Sequence, residues 1–450
     1  MADVDLGAIA TRILELVSNR ADAAVTVRRA NGGLTRFANS FIHQNVGDEH
    51  LWLSLQVAVG GRTAASASTN VGHASLERLV ETTLSAAAVQ PADPEWPGLA
   101  PSAAPSGDPA VHFDRATAEA TPAARADVVA AFVAAGDGLE AAGYCATTAT
   151  HELFANSAGQ RIESSTTSAA VNGIHRFRGA DGSGSVFSSR LSDLDGARAG
   201  AWAAEAARGA TRTIELPPGH YEVVLESRAV AYMLDFFSMY GFNARAVAEG
   251  RSFALFGEEQ LDPALSMWDD ATDARQIGIG FDAEGTPKRR VDLVDGGRVV
   301  GLTHDRRTAA RAGDTWTSTG HAVPGGASLG AVATNLFVGG VETTPVSELV
   351  GRVRRGLLIR DFWYTRVLDP KSLVVTGLTR NGVFLIEDGQ IGPAASNMRF
   401  TQSPVSAFGP GHVLGLGDDA ALAPGGLYMS WHHAPSLHLA AWNFTGGTYG

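Results

Sequence analysis

Tyr221-Glu222-Val223-Val224-Leu225-Glu226-Ser227-Arg228-Ala229-Val230-Ala231-Tyr232-Met233-Leu234-Asp235-Phe236-Phe237 is the stretch on which the reading of this chain turns. It reads as a short strand running into an amphipathic helix. The helix carries only three ionisable side chains, Arg228, Tyr232 and Asp235. None stands at a spacing that pairs it with a second metal ligand. No histidine occurs between His220 and His304.

Downstream of this point the chain breaks into many short runs separated by glycine. Leu373 to Val375 and Val383 to Ile386 read as strands, with Gly382 and Gly389 supplying turns. Pro345 to Gly356 returns to helical spacing through Val346, Leu349, Val350 and Val353. Upstream, Glu215-Leu216-Pro217-Pro218-Gly219 marks a boundary. Before it, Ala123 to Ala142 predicts an alanine-rich helix and Ala197 to Arg208 another. Tyr144 to Ala155 and Arg161 to Asn172 flank a turn at Asn156-Ser157-Ala158-Gly159, which predicts a hairpin. Gly179 to Ser185 reads as a flexible glycine-serine loop. Six prolines between Pro91 and Pro109 predict an extended linker, because proline removes backbone donors and fixes φ. The first unit is read as helix Leu6 to Val17, strands Ala23 to Val27, Leu34 to His43 and His50 to Val59, and helix Ala74 to Ala88. Gly32-Gly33 and Gly60-Gly61 are placed as its hairpin turns.

Composition bounds the function. The 450 residues are 45% hydrophobic and 18% charged, as in a folded globular chain of two or three domains. The 52 glycines call for abundant turns and strands. A formal net charge of −12 disfavours nucleic acid, whose phosphates need a basic face. The densest basic cluster, Arg352, Arg354 and Arg355, reads as a solvated helix face. Cys145 is the single cysteine, so neither an intrachain disulfide nor a Cys-rich zinc site can form. The start Met1-Ala2-Asp3-Val4-Asp5 is acidic and no long apolar run follows, so no signal peptide is expected. No run of about 18 apolar residues exists, so no membrane helix is expected either, and the chain is assigned to the cytoplasm.

Several side chains are of types that carry chemistry. Trp431-His432-His433-Ala434-Pro435-Ser436-Leu437-His438 is the densest histidine cluster. Adjacent strand residues point to opposite faces, so only His432 with His438 is a conceivable metal pair. Packed or interface histidines are the plainer reading. His151-Glu152 looks like half a zinc motif but has no histidine at the fourth position onward. No Gly-x-Ser-x-Gly elbow is present. Gly182-Ser183-Gly184-Ser185 lacks the lysine and helix of a phosphate loop. Asp269-Asp270 and Asp282 with Glu284 suggest acid–base work, a hard cation or acidic turns, and a structural turn role is favoured. Trp363 and Tyr364, with Trp431 and Trp442, suit interface anchors and a sheet core equally.

Taken in order, a set of blocks resembles the TldD/PmbA family. Asn156-Ser157-x-Gly159 is similar to its central hairpin, and Tyr221 to Leu225 to the strand entering its key helix. Glu249-Gly250-Arg251-Ser252-Phe253 follows that helix. Asp269-Asp270, then Phe281-Asp282-Ala283-Glu284-Gly285-Thr286-Pro287, Thr317-Ser318-Thr319-Gly320 and Asn335-Leu336 continue the order. The match spans roughly residues 150 to 340 and is nearest the PmbA (TldE) branch. In metal-binding members the resemblance implies a His-Glu-x-x-x-His helix and a later cysteine holding zinc, with the glutamate as general base. This chain has neither histidine on the helix and no cysteine after Cys145.

The resulting expectation is an α+β fold: N-terminal α/β units followed by a large β-rich domain with a curved, mostly antiparallel sheet. The units are 1–90, a linker 91–114, 115–212, and 219–450. The resemblance implies a metal-free subunit of a heteromeric TldD/TldE-type zinc peptidase acting on unfolded or flexible peptides. Zinc is expected in the TldD-like partner and no cofactor in this chain. Arg251, Asp282, Glu284, Trp363, Tyr364 and Trp431 are candidates for contact with substrate or partner, and His432 and His438 for a metal. A stand-alone peptidase with an atypical metal site, and a non-catalytic peptide-binding homodimer, are the competing readings. Nucleic acid and membrane are not expected as partners.

Overall fold

Long strands at the front of the chain give way to short ones behind residue 219 in a computed structural model that describes residues 5–325, 329–427 and 430–447. The acidic start, residues 1–4, lies outside these. Helix α1 (Leu6–Val17) begins where the Asp5 side chain accepts from Ala8 N at 3.0 Å, and it buries Ala10, Ile13 and Val17. Strands β1 (Asp22–Ala38), β2 (Phe41–Val59) and β3 (Arg62–Ser68) and helix α2 (His73–Val89) complete the first unit. Then come α3 (Arg115–Ala118), α4 (Pro122–Ala134), β4 (Glu140–Asn156), β5 (Arg161–Phe177), β6 (Ala180–Ser188) and α5 (Gly196–Gly209).

One antiparallel sheet, ordered β3-β2-β1-β4-β5-β6, takes strands from both units. Strand β1 pairs with β4 from Ala24↔Asn156 to Phe37↔Gly143. Helices α1 and α2 cover one apolar cluster on it, and α4 and α5 another.

Several local expectations are corrected here. Gly32-Gly33 lies inside β1, opposite Asp48 and Gly47. The reversal falls at Asn39-Ser40, with φ 50° and 63°, a two-residue turn whose twist suits a hairpin. The alanine-rich helix stops at Ala134, because Asp137-Gly138 (φ 50° and 82°) turns the chain and commits residues 140–142 to β4. Gly179 to Ser185 is mostly strand β6. Its glycines are there for packing: a Cβ on Gly184 would sit 1.9 Å from Ala199 O, and one on Gly182 2.2 Å from Ala203 O. The backbone of α5 lies directly on the strand. The proline-rich stretch has no regular structure before its last residues, yet it is fastened down. Asp93 N donates to Gly61 O at 2.8 Å, Asn156 Nδ2 to Ala100 O at 2.8 Å, and Arg306 Nη2 to Pro97 O and Leu99 O at 3.1 and 3.0 Å. It is a strap laid over the surface, not a free spacer.

The second half opens with β7 (Gly219–Leu225) and α6 (Ser227–Phe236), followed by α7 (Ala244–Ala248), β8 (Ser266–Asp269), β9 (Val291–Asp295), β10 (Arg298–Val299) and α8 (Arg306–Ala312). Next are β11 (Leu336–Gly339), α9 (Val346–Gly351), β12 (Arg355–Ile359), β13 (Phe362–Asp369), β14 (Val374–Thr379), β15 (Val383–Glu387) and β16 (Gln390–Ala394). The chain ends with β17 (Met398–Gln402), β18 (Val413–Leu416), β19 (Ala421–Pro424), β20 (Trp431–Ala434) and β21 (Leu437–Gly447). A nine-stranded curled sheet runs β13-β14-β17-β21-β7-β12-β15-β16, with β18 also on β21. It is antiparallel except where β7 meets β12. A six-stranded sheet runs β10-β9-β8-β11-β20-β19. The α+β class and the β-rich second half with a curved sheet are as read from the sequence.

Between these two sheets lies the main core. Val223, Leu225, Leu357, Ile359 and Leu439 of one sheet and Met267, Leu293, Leu336 and Ala434 of the other close around α6. That helix is not amphipathic in place. Every residue from Ala229 to Phe236 is buried, and Arg228 alone reaches outward. A helix that is apolar nearly all round must sit inside. Among the described residues, no helix is long and apolar enough to cross a membrane.

Candidate functional site

The end of α6 carries the one acid in that apolar segment, Asp235, with its side chain 5% exposed. A lone buried carboxylate has to find donors or lose its charge. Three arrive, one each from Leu427, Ser430 and His432. Leu427 N donates to Oδ2 at 2.6 Å, the Ser430 hydroxyl donates to Oδ1, and His432 Nε2 lies 2.9 Å from Oδ1. His432 Nδ1 accepts from Leu336 N at 3.3 Å, so the ring proton is on Nε2, shared between Asp235 and Ser430 Oγ at 2.9 Å. Gly425 and Gly426 themselves lie close against the helix. A Cβ on Gly425 would meet the Asp235 carboxylate at 2.2 Å, and one on Gly426 the Tyr232 ring at 2.5 Å.

This cluster is built of serine, histidine and aspartate, but it is not a nucleophilic triad. A triad places the acid and the serine on opposite nitrogens of the imidazole. Here both address Nε2, and Nδ1 is occupied by a backbone amide. Nor do these residues fit a zinc ion. A catalytic zinc needs three protein ligands with free lone pairs. His432 presents none, and the Asp235 oxygens are already taken by donors. The second histidine candidate, His438, is elsewhere. It pairs with Val224 across β21 and β7, and its Nε2 lies 2.7 Å from Glu222 Oε1. Val224 faces the Leu349 and Leu358 cluster, whereas Val223 and Leu225 face α6, so His438 is on the sheet face turned away from the helix. His432 and His438 therefore belong to different sheets and do not meet. Among the described residues, no group of three or more His, Cys, Asp or Glu side chains is disposed to hold a metal.

A second polar cluster joins the two halves. Asp282 is the pin of the block from Phe281 to Pro287: its Oδ1 accepts Glu284 N and Thr286 N at 2.9 Å each, and its Oδ2 accepts Ala322 N at 3.0 Å. Burial pushes this carboxyl up to about 6, against the pull of those amides. Glu284 accepts Arg306 N at 3.0 Å, and burial together with Asp282 pushes it up to about 8. Gly285, at φ 76°, has no room for a side chain: a Cβ would lie 2.2 Å from the Phe154 ring. Its carbonyl accepts Gln160 Nε2 at 2.7 Å. Two blocks far apart in sequence, the 156–159 hairpin and the 281–287 turn, thus dock on each other. Deeper in, Asp269 meets His321 Nε2 at 2.8 Å and Asn335 N at 2.6 Å. Burial raises the Asp269 carboxyl, but His321, Lys288 and the amide outweigh it and hold it below its usual range. Lys288 donates to Thr334 Oγ1 at 2.5 Å, and burial pulls its ammonium down.

The remaining sequence candidates do not converge. Arg251, half exposed, pairs with Glu249 after α7. Trp431 is half-buried, edge-on to Phe187 at 5.9 Å. Trp363 and Tyr364 lie on edge strand β13, 41% and 62% exposed, each under an arginine (Arg380 at 4.0 Å, Arg366 at 4.4 Å). They are surface residues, whereas Trp442 is core, stacked on Phe362 at 5.2 Å. Sequence reasoning missed the Asp235 cluster because its partners lie 192 to 197 positions away. The available signal was the acid itself, alone in an apolar helix.

A family model described as the PmbA/TldA metallopeptidase C-terminal domain matches residues 218–446. Solved structures resemble the whole chain. A proposed modulator of a DNA gyrase from Thermotoga maritima superposes with a TM-score of 0.83 at 17% identity, over 98% of this chain and 100% of that one. TldE from Thermococcus kodakarensis gives 0.81 at 14% identity, over 98% and 99%. A proposed modulator of DNA gyrase from Bacteroides thetaiotaomicron gives 0.81 at 17%, over 99% and 100%. At these identities the likeness speaks for the fold.

Proposed function

The chain belongs to the PmbA/TldD metallopeptidase family, and from that premise we propose that it is the metal-free, TldE-like subunit of a heteromeric zinc peptidase. In this reading the zinc sits in a TldD-like partner. The present chain walls the chamber and aligns an unfolded or flexible peptide for attack there. The observation that supports it is the α6 terminus, where Asp235, Ser430 and His432 consume one another's hydrogen-bonding capacity and leave nothing for an ion. Such a platform contributes shape and rigidity rather than a reacting group. The exposed Trp363-Tyr364 pair on the β13 edge is assigned to the partner contact, since aromatic anchors beside arginine carry binding energy at interfaces. Peptide held along a sheet edge would be read by its main chain, with little sequence preference. A cytoplasmic location belongs to the same reading.

The test uses this chain alone, a His-Glu-x-x-x-His homologue alone, and the two together, with metal content measured in each. The expected result is peptidase activity that needs both chains and zinc that follows the homologue. Chelator-sensitive hydrolysis by the isolated chain, with stoichiometric zinc, would overturn the proposal.

A further inference from the structure

A cleft of about 260 Å³ opens where Gly32 and Gly33 of β1 and Gly47 of β2 leave the sheet surface bare under α3 and α4. Arg125 of α4 lines it and is only 4% exposed. Its Nε donates to Thr35 Oγ1 at 3.2 Å, and its Nη1 to Ala120 O at 3.0 Å and Thr147 Oγ1 at 3.2 Å. All three acceptors are neutral. Among the described residues no carboxylate pairs with this guanidinium, and Nη2 has no partner. Gly33 makes room for it, since a Cβ there would lie 2.3 Å from Nη1. A buried cation without a counter-charge is a standing cost that an anion in the cleft would remove. A second group in the same cleft is also unmet: Asn31 Oδ1 is buried and accepts no hydrogen bond. The cleft therefore asks for a negative acceptor on one side and a donor on the other.

We propose that this cleft binds a small carboxylate with an N–H beside it, the carboxylate on Arg125 and the N–H on Asn31. The free end of a peptide and an N-acylated amino acid share that chemistry. Planar guanidinium suits planar carboxylate. Arg125 is the only cation among the lining residues, which favours a monoanion over phosphate. The volume is below that of drug-sized pockets, so the ligand is small or enters by its tip. This site lies in the N-terminal sheet and its existence is independent of the subunit assignment above.

Calorimetric titration of the purified full chain with Ala-Ala-Ala, its C-terminal amide, N-acetyl-alanine, acetate and inorganic phosphate tests this. At least one of the two N–H-bearing acids should bind, and the tighter of them identifies the source. The amide and acetate should be weaker by about tenfold or more, the weight of a charged hydrogen bond. Arg125→Met should cost about tenfold to a hundredfold. Val46→Trp, which fills the cleft and leaves Arg125 in place, should also abolish binding and guards against a folding defect in the first variant. The proposal is overturned if the amide or phosphate binds as tightly as the acids, if no acid binds in the millimolar range, or if Val46→Trp binds unchanged.

Discussion

Replacing Asp235 by alanine strands three donors inside the protein. Leu427 N–H, the Ser430 hydroxyl and His432 Nε2–H all converge on that buried carboxylate. A hydrogen bond to a charged group contributes about 1.5–3 kcal/mol, and a buried donor left unpaired costs about 1–3 kcal/mol. The three share one acceptor and fail together, so a simple sum overstates the loss. Three donors to one buried carboxylate, partly relieved by relaxation, give an expected loss of about 3–5 kcal/mol. In urea unfolding followed by tryptophan fluorescence, with a slope of about 3 kcal/mol/M, the midpoint falls by roughly 1–1.7 M. Asp235→Asn keeps shape and one acceptor and should land near half of that. Asp235→Leu combined with His432→Phe removes one donor with the acceptor, but leaves Leu427 N–H and the Ser430 hydroxyl stranded and orphans Leu336 N–H, so it should recover little of the loss. A double-mutant cycle between Asp235→Ala and His432→Ala should show a coupling of about 1–3 kcal/mol. A midpoint shift below roughly 0.3 M for Asp235→Ala, or strict additivity in the cycle, would refute the reasoning.

Glu284 offers a pH signature. Its carboxyl is raised from an ordinary 4.5 to about 8, so the folded chain holds a proton that the unfolded chain has released. That contribution is complete below the unfolded value and is lost as pH rises through about 8. Glu284→Gln should therefore flatten the fall in stability between those limits and gain up to about 5 kcal/mol at the alkaline end, at about 1.4 kcal/mol per unit of the rise from 4.5 to about 8, read by thermal melts across pH; an unchanged profile sinks the assignment. Gly184→Ala should lower stability by about 1–3 kcal/mol, because the new methyl meets the α5 backbone at Ala199. A melting temperature equal to the parent's would mean the helix is free to move off the strand. Trp363→Ala should leave stability within about 1 kcal/mol, yet weaken capture of the His-Glu-x-x-x-His homologue by about tenfold or more. Undiminished capture would remove β13 from the proposed contact.

What the sequence disclosed follows the range of the forces involved. The strand-to-helix transition at Leu225-Glu226, the Asn156-Gly159 hairpin and helix α1 are specified by periodicity and turn residues within a few positions. They are found where expected. Gly32-Gly33 and Gly182-Gly184 misled because glycine serves two purposes. It permits turns, and it also lets another backbone or a guanidinium approach closely, which depends on α5 and Arg125 and not on the neighbours in sequence. The burial of α6 was hidden for the same reason: its second apolar face is covered by a sheet assembled from strands far along the chain. Asp282 was visible as an acidic turn residue, and that is how it is used. His432 and His438 were visible as histidines, but their carboxylate partners come from α6 and β7, more than a hundred and ninety positions away.

The pairing of β1 with β4 has a practical corollary. Proteolytic nicking anywhere in residues 91–109 cuts the covalent thread without releasing either fragment, because main-chain ladders from Ala24↔Asn156 to Phe37↔Gly143 hold the pieces edge to edge. The two peptides should co-elute after cleavage and reassemble when expressed separately. Expressed alone, the front 90 residues would present a long naked strand to solvent, inviting aggregation.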